Sequence, residues 1–176
     1  MFPNPVNEKA ARSVAAGVLL LAVLTLVLSV AAGPGWLWLT AVLAYGFVAR
    51  MLAGPTFSPL GQLATRVVAP RLGPPKLVAG PPKRFAQGMG ATMTVAAVIL
   101  HFVFASDIAA QVLVGCVIVA ATLESVFAFC IGCQVFAGLM RLGLIPEETC
   151  EACANFGVNR TAGEAARSDR APSRTS

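Results

Sequence analysis

Two pairs of cysteines carry the residue types and spacing most able to do chemistry: Cys130 and Cys133 in the stretch FCIGC, and Cys150 and Cys153 in CEAC. Together they read C-x2-C-x16-C-x2-C. Three chemistries fit this pattern. Four thiolates can close a tetrahedral shell around zinc, and two CxxC pairs at this separation fall within the generic zinc spacing. Alternatively, each pair can cycle between dithiol and disulfide, or pass sulfur, by thiol exchange. The third reading is packing alone, since a reduced cysteine behaves as a small apolar side chain. Packing accounts well for the isolated Cys116, which falls inside an apolar run, but it gives no reason for cysteines to come in pairs.

Neighbouring charges bear on these readings. Glu147, Glu148 and Glu151 oppose thiolate formation at Cys150 and Cys153, whereas Arg141 favours it near Cys133. Glu124 lies six residues before Cys130, at the inner edge of an apolar run, where an ionisable group is costly and as a rule faces the bundle interior. Arg50, near the end of another apolar run, is the expected partner in an intramembrane ion pair. A proton-handling or transport role for Glu124 is the sharper alternative. His101 is the single histidine, so neither a His-rich metal site nor a Ser-His-Asp triad can be assembled. No P-loop and no G-x-G-x-x-G strand–helix unit is present.

The elements that must position these residues follow from composition. The chain has 176 residues, 57% of them hydrophobic and 12% charged. Soluble domains carry about 25% charged residues, and a domain this small cannot bury four long apolar runs in one core. Runs of about 20 apolar residues match the hydrocarbon thickness of a bilayer. The expectation is an all-α polytopic membrane protein with spans at about 14–32, 36–52, 85–105 and 108–129, within a membrane domain covering residues 1–155. Trp36 and Trp38 should mark one interface. Residues 156–176 are polar and Arg-rich and read as a disordered tail.

Between the second and third spans, residues 53–84 form a long loop. Ser58 and Pro59 can start a helix, and Leu60, Leu63, Ala64, Val67 and Val68 repeat at helical spacing. A short amphipathic helix at the interface is expected there, either lying in the lipid headgroups or packed on the bundle. The prolines in RLGPPKLVAGPPKR favour extended chain.

Net charge is +5, but the basic residues lie beside the spans rather than in a stripe with stacking aromatics, which excludes a nucleic-acid footprint. The leading segment holds Lys9 and Arg12. The long loop and its flanks hold Arg50, Arg66, Arg71, Lys76, Lys83 and Arg84, and the two other connections hold no Lys or Arg. The positive-inside rule then places both termini and the long loop in the cytoplasm. At about 1.5 Å per residue, Cys130 and Cys133 reach the cytoplasmic surface, and Cys150 and Cys153 lie beyond it. Cytosolic reductants disfavour a permanent disulfide there.

The opening NPVNEKAAR, the loop FSPLGQLATRVVAPRLGPPKLVAGPPKRFAQG and the block TLESVFAFCIGCQVFAGLMRLGLIPEETCEAC resemble an uncharacterised bacterial membrane family, domain of unknown function 4395. The resemblance covers about residues 3–155 and brings no established activity. It implies a small multi-helix protein of the bacterial inner membrane, and a thioredoxin-like or sulfurtransferase protein as partner. The family's C-x-G-C and later CxxC fall on Cys130, Cys133, Cys150 and Cys153. The expected function is therefore a cytoplasm-facing thiol-redox or sulfur-relay centre on these four residues. Its alternatives are a structural Zn site on the same four, and a small transporter or accessory subunit using Glu124 and Arg50. The last would need a homo-oligomer, since four spans make a narrow monomer.

Overall fold

A computed structural model of the chain describes residues 6–54, 57–74, 76–78 and 80–143. Among the described residues the chain is all-α apart from one two-residue ladder, β1 (Val6–Asn7) against β2 (Leu77–Val78), antiparallel with Val6 opposite Val78. The helices are α1 (Glu8–Ala31), α2 (Leu39–Ala53), α3 (Pro59–Leu63), α4 (Ala69–Arg71), α5 (Gly80–Phe102), α6 (Asp107–Phe127) and α7 (Ile131–Arg141). A 3-10 turn, Pro34–Trp38, leads into α2, and a π-helical turn, Ala64–Val68, joins α3 to α4. Among the described residues four helices are long and apolar enough to cross a membrane: Glu8–Ala31, Pro34–Ala53, Gly80–Phe102 and Asp107–Phe127. Trp36 and Trp38 are exposed in the 3-10 turn.

The long helices alternate in direction. α1 packs on α6, α6 on α5 and α5 on α2. The core is built from small and β-branched residues, including Val14, Val18, Ala22, Ala97, Ala110, Val114 and Val117, with Leu37, Leu43 and Phe47 as the larger members. Small residues let apolar helices approach closely where no hydrophobic drive between them exists in lipid. Gly90 is the clearest case, because a Cβ there would collide with the Phe47 ring. Buried hydroxyls bond their own helices: Thr25 Oγ1 donates to the Leu21 carbonyl and Thr94 Oγ1 to the Gly90 carbonyl, each at 2.7 Å.

Two helices begin earlier than their apolar runs. α1 starts at Glu8, not near residue 14, because the Asn7 side chain accepts the Lys9 N–H at 3.1 Å and Glu8 suits the positive end of the helix. α5 starts at Gly80, not near residue 85. The expectation of extended chain through Gly80-Pro-Pro is thus corrected: Pro81 and Pro82 occupy the first turn, where a missing N–H costs nothing.

Ser58 caps α3, its Oγ accepting the Gly61 N–H at 3.3 Å, and Pro59 takes the first helical position. The segment lies on α1, with Leu60 filling the space above Gly17, where a Cβ would meet Leu60 Cδ2. Leu63 and Val67 point away from the bundle and are exposed. The segment is therefore packed on the bundle, with Leu63, Arg66 and Val67 on its outer face.

The chain divides into two compact units, Met1–Ala137 and Gly138–Ser176. In the second, the described residues are the last turn of α7 and a closing turn. There the Leu142 N–H bonds the Gly138 carbonyl at 3.1 Å, and Gly143 adopts φ +71°. Cys150, Cys153 and the expected tail at 156–176 lie outside the described residues.

Candidate functional site

The sequence runs unbroken and apolar from Ile108 past Cys130, yet the helix does not. α6 stops at Phe127, and Ala128 turns left-handed at φ 55°, with the N–H groups of Ala128 and Phe129 both returning to the Leu123 carbonyl. Arg12 of α1 secures this end. Its Nε and Nη2 donate to the Ser125 carbonyl at 3.2 and 3.0 Å, and Nη2 also reaches the Val126 carbonyl at 3.3 Å. A cation bonded to the last carbonyls of a helix suits their partial negative charge.

After this elbow α7 begins at Ile131, which makes Cys130 the residue that caps it. The Cys130 Sγ accepts the Cys133 N–H at 3.4 Å. This is the position at which a serine or aspartate oxygen ordinarily caps a helix. A sulfur held at a helix N-terminus is favoured as thiolate. The Gly132 between the two cysteines sits directly on α5, where a Cβ would fall 2.5 Å from Ala86 Cβ and 2.6 Å from Ala86 Cα. The ring of Phe136 packs on that of Phe85, centroids 5.6 Å apart. FCIGC is thus a helix start pressed against the beginning of α5.

Both cysteines are unbridged thiols, Cys130 buried and Cys133 half-buried. Their environments push them in opposite directions. The hydrogen bond from the Cys133 thiol lowers Cys130 to about 7, with Lys83 and the Cys133 N–H adding to it, against burial and Glu124. The same hydrogen bond, followed by burial, pushes Cys133 well above the usual thiol range. One sulfur is favoured as thiolate and the other holds its proton.

The charged residues nearby are arranged differently from expectation. Glu124, in the last turn of α6, pairs with Lys83 of α5, Nζ to Oε1 at 2.6 Å. Arg50 does not take Glu124 as its hydrogen-bond partner, which corrects the expected ion pair. The cause is the early start of α5, which carries Lys83 in its first turn to the end of the bundle where α6 finishes. Glu124 acts on the buried Arg50 only through charge, and Arg50 directs its hydrogen bonds instead to neutral groups. Its Nε donates to Gln87 Oε1 at 2.9 Å and its Nη1 to Ser58 Oγ at 3.1 Å. The guanidinium lies 4.8 Å from the Phe47 ring centroid, and Nη2 is buried without a partner.

A cavity of about 470 Å³ lies among α1, α2, α5 and α6, and Arg50, Gln87, Glu124 and Cys130 stand on its wall. Cys116, expected to be buried and inert, is exposed on α6 and also lines it. His101 meets Asp107 at the opposite end of the bundle, Nδ1 to Oδ1 at 2.6 Å. Among the described residues no three His, Cys, Asp or Glu side chains gather as a metal-holding group, and the other two cysteines of the zinc reading lie outside them. Lys83, Gln87 and Ala86 were not singled out from the sequence, and Ser58 only as the start of a helix. Lys83 was visible there only as loop charge, and its role depends on the helix reaching back through two prolines.

Four apolar antiparallel helices, with basic residues gathered at one end, define a polytopic α-helical membrane protein in contact with the bilayer. The chain belongs to the family described as a domain of unknown function (DUF4395), which matches residues 6–141. No curated protein and no solved structure matches the chain.

Proposed function

We propose that Cys130 and Cys133 form a thiol–disulfide exchange centre at the cytoplasmic face of the bacterial inner membrane. The observation that carries this reading is the placement of Cys130 as the cap of α7, its Sγ 3.4 Å from the Cys133 N–H. The Cys130 thiolate attacks one sulfur of a partner disulfide, forming a mixed disulfide and releasing a partner thiolate. Cys133 then gives up its proton and attacks Cys130 Sγ, forming the Cys130–Cys133 disulfide and releasing the second partner thiolate. Two electrons pass from the pair to the partner, and the reverse sequence reduces it. The partner is a thioredoxin-like protein, a sulfurtransferase whose persulfide is handed on, or the pair Cys150 and Cys153 of the same chain.

The cytoplasmic side is supported by charge. Lys9, Arg12, Arg50, Arg66, Arg71, Lys76, Lys83 and Arg84 all lie at or near the end of the bundle that carries Cys130, the arrangement the positive-inside rule assigns to the cytoplasm. Both termini then face inward. An impermeant thiol reagent added to intact cells should leave Cys130 and Cys133 unmodified, and modification from outside would refute this orientation.

Trapping tests the reaction. Cys133→Ser should leave a mixed disulfide between Cys130 and its partner, and Cys130→Ser should not. If neither variant captures a protein and both behave as wild type, exchange is wrong. The C-x2-C-x16-C-x2-C spacing supports a second reading, a structural zinc on Cys130, Cys133, Cys150 and Cys153. One zinc per chain, lost on Cys150→Ser, would favour that reading over exchange.

A further inference from the structure

We infer that the cavity among the four spans binds a membrane-dissolved quinone, which accepts electrons from Cys130 and Cys133. This rests on the exchange reading above and adds the terminal oxidant.

The cavity has the volume of a small-molecule site, within the range of about 300–1,000 Å³. Its body is apolar, formed by residues such as Val14, Val18, Phe47, Met93 and Val117. Its polar groups are few, as in a site that orients one ligand end. Val112, Cys116 and Val119 line it and are also exposed on the flank of α6. The cavity therefore opens sideways, toward the hydrocarbon, and its occupant comes from the bilayer.

Arg50 specifies the head of that occupant. The residue is only 5% exposed, and Nη2 is a buried donor with no acceptor. Such a donor is costly to leave unpaired, and more so when charged. The carboxylate on the same wall, Glu124, is already bonded to Lys83. The site thus places the buried Arg50 cation beside a ligand oxygen. A quinone carbonyl lies near that charge, which favours the anionic oxygen that develops as the ring is reduced.

Cys130 distinguishes a redox ligand from a fatty acid, since a carboxylate would satisfy Arg50 and make no use of the thiol on the wall. The balance is complete. The S–H bonds of Cys130 and Cys133 break and one S–S bond forms. The electron pair passes to the quinone ring, and the two protons finish on its two oxygens as quinol.

The test uses the full chain in lipid nanodiscs with Cys116→Ala, reduced and freed of reductant, and a fully substituted benzoquinone with a decyl tail. Full substitution blocks arylation of thiols. Quinol absorbance and the Cys130–Cys133 disulfide, read by mass spectrometry, should appear one for one. Two variants address the cavity. Arg50→Met removes the donor. Gly115→Leu fills the space without a clash at its root, since a Cβ there meets nothing within 4 Å. Each should raise the quinone concentration for half-maximal rate at least tenfold. Oxidation by glutathione disulfide, which does not need the cavity, serves as the control on the thiol pair.

Quinone oxidation unchanged in both variants overturns the cavity assignment. Glutathione disulfide oxidising the pair while the quinone does not overturns the quinone and leaves exchange standing. Failure of both oxidants overturns exchange as well. Arg50-dependent binding of oleate, without any quinol formed, reassigns the cavity to a fatty acid and overturns the inference.

Discussion

Lys83 Nζ donates to Glu124 Oε1 at 2.6 Å, joining the first turn of α5 to the last turn of α6 beside the cysteine pair. The side chains are 12% and 16% exposed. Removing one partner leaves the other charge poorly solvated, at a cost of about 3 kcal/mol. The two removals should nevertheless act on Cys130 with opposite sign. Glu124 raises its pKa and Lys83 lowers it. At about pH 6, below the Cys130 value, Glu124→Gln should speed Cys130 alkylation and Lys83→Met should slow it, each by about two- to fivefold. Rates shifting in the same direction would deny the electrostatic link.

The two thiols should separate by pH. Cys130, lowered to about 7, should gain alkylation rate between about pH 6 and 8 and then level off. Cys133, pushed up, should still be gaining above about pH 9. Cys133→Ala removes the main cause of the lowering and should return Cys130 toward the ordinary thiol value. Site-resolved mass spectrometry of timed alkylation measures both. Stability follows the same signs. Between about 7 and 9 the unfolded chain binds more protons at Cys130 than the folded one, so stability rises with pH. Above that range Cys133 reverses the slope.

Gly132→Ala should loosen α7 from α5, because the new Cβ would fall within 2.6 Å of Ala86 Cβ and Cα. The expected loss is about 1–3 kcal/mol, with Cys133 becoming more accessible to thiol reagents. Ala86→Gly in the same chain should restore part of it, since one of the two colliding atoms is gone. Thermal unfolding in detergent, with labelling rates alongside, checks both.

Ala128→Gly should stabilise the protein by about 1 kcal/mol, because φ 55° is costly for a residue with a Cβ and free for glycine. The same substitution frees the elbow in the unfolded chain, which offsets a few tenths of this. A fall in melting temperature would mean that the left-handed turn is not maintained.

Much of the fold was written in periodicity and charge. Four long apolar runs announced four spans, and Ser58-Pro59 announced the start of α3. The break after Phe127 was illegible for a physical reason. Phe129, Ile131 and Val135 continue the apolar run, and alanine at 128 gives no turn signal, so the elbow is set by Arg12 bonding the Ser125 carbonyl from another helix. The partner of Glu124 was hidden in the same way. Pro81 and Pro82 read as breakers, yet in a first turn they are compatible with helix, and Lys83 then belongs to the bundle. The close seat of Gly132 on Ala86 joins residues 46 positions apart, which spacing in one sequence does not reveal.

The polar ties of the bundle are unevenly placed. At the charged end Glu8 meets Lys76 at 2.7 Å, Lys9 Nζ bonds the Leu72 carbonyl at 2.6 Å, Arg12 holds α6 and Lys83 holds Glu124. Toward the other end, among the described residues, Gln111 Nε2 donates to Ser29 Oγ at 3.3 Å and His101 meets Asp107 at the adjoining turn. The short turns close the spans pairwise at one end, and polar bonds between helices tie them at the other. The thiol pair sits at the polar end, so a substitution among those bonds reaches its geometry without touching either sulfur.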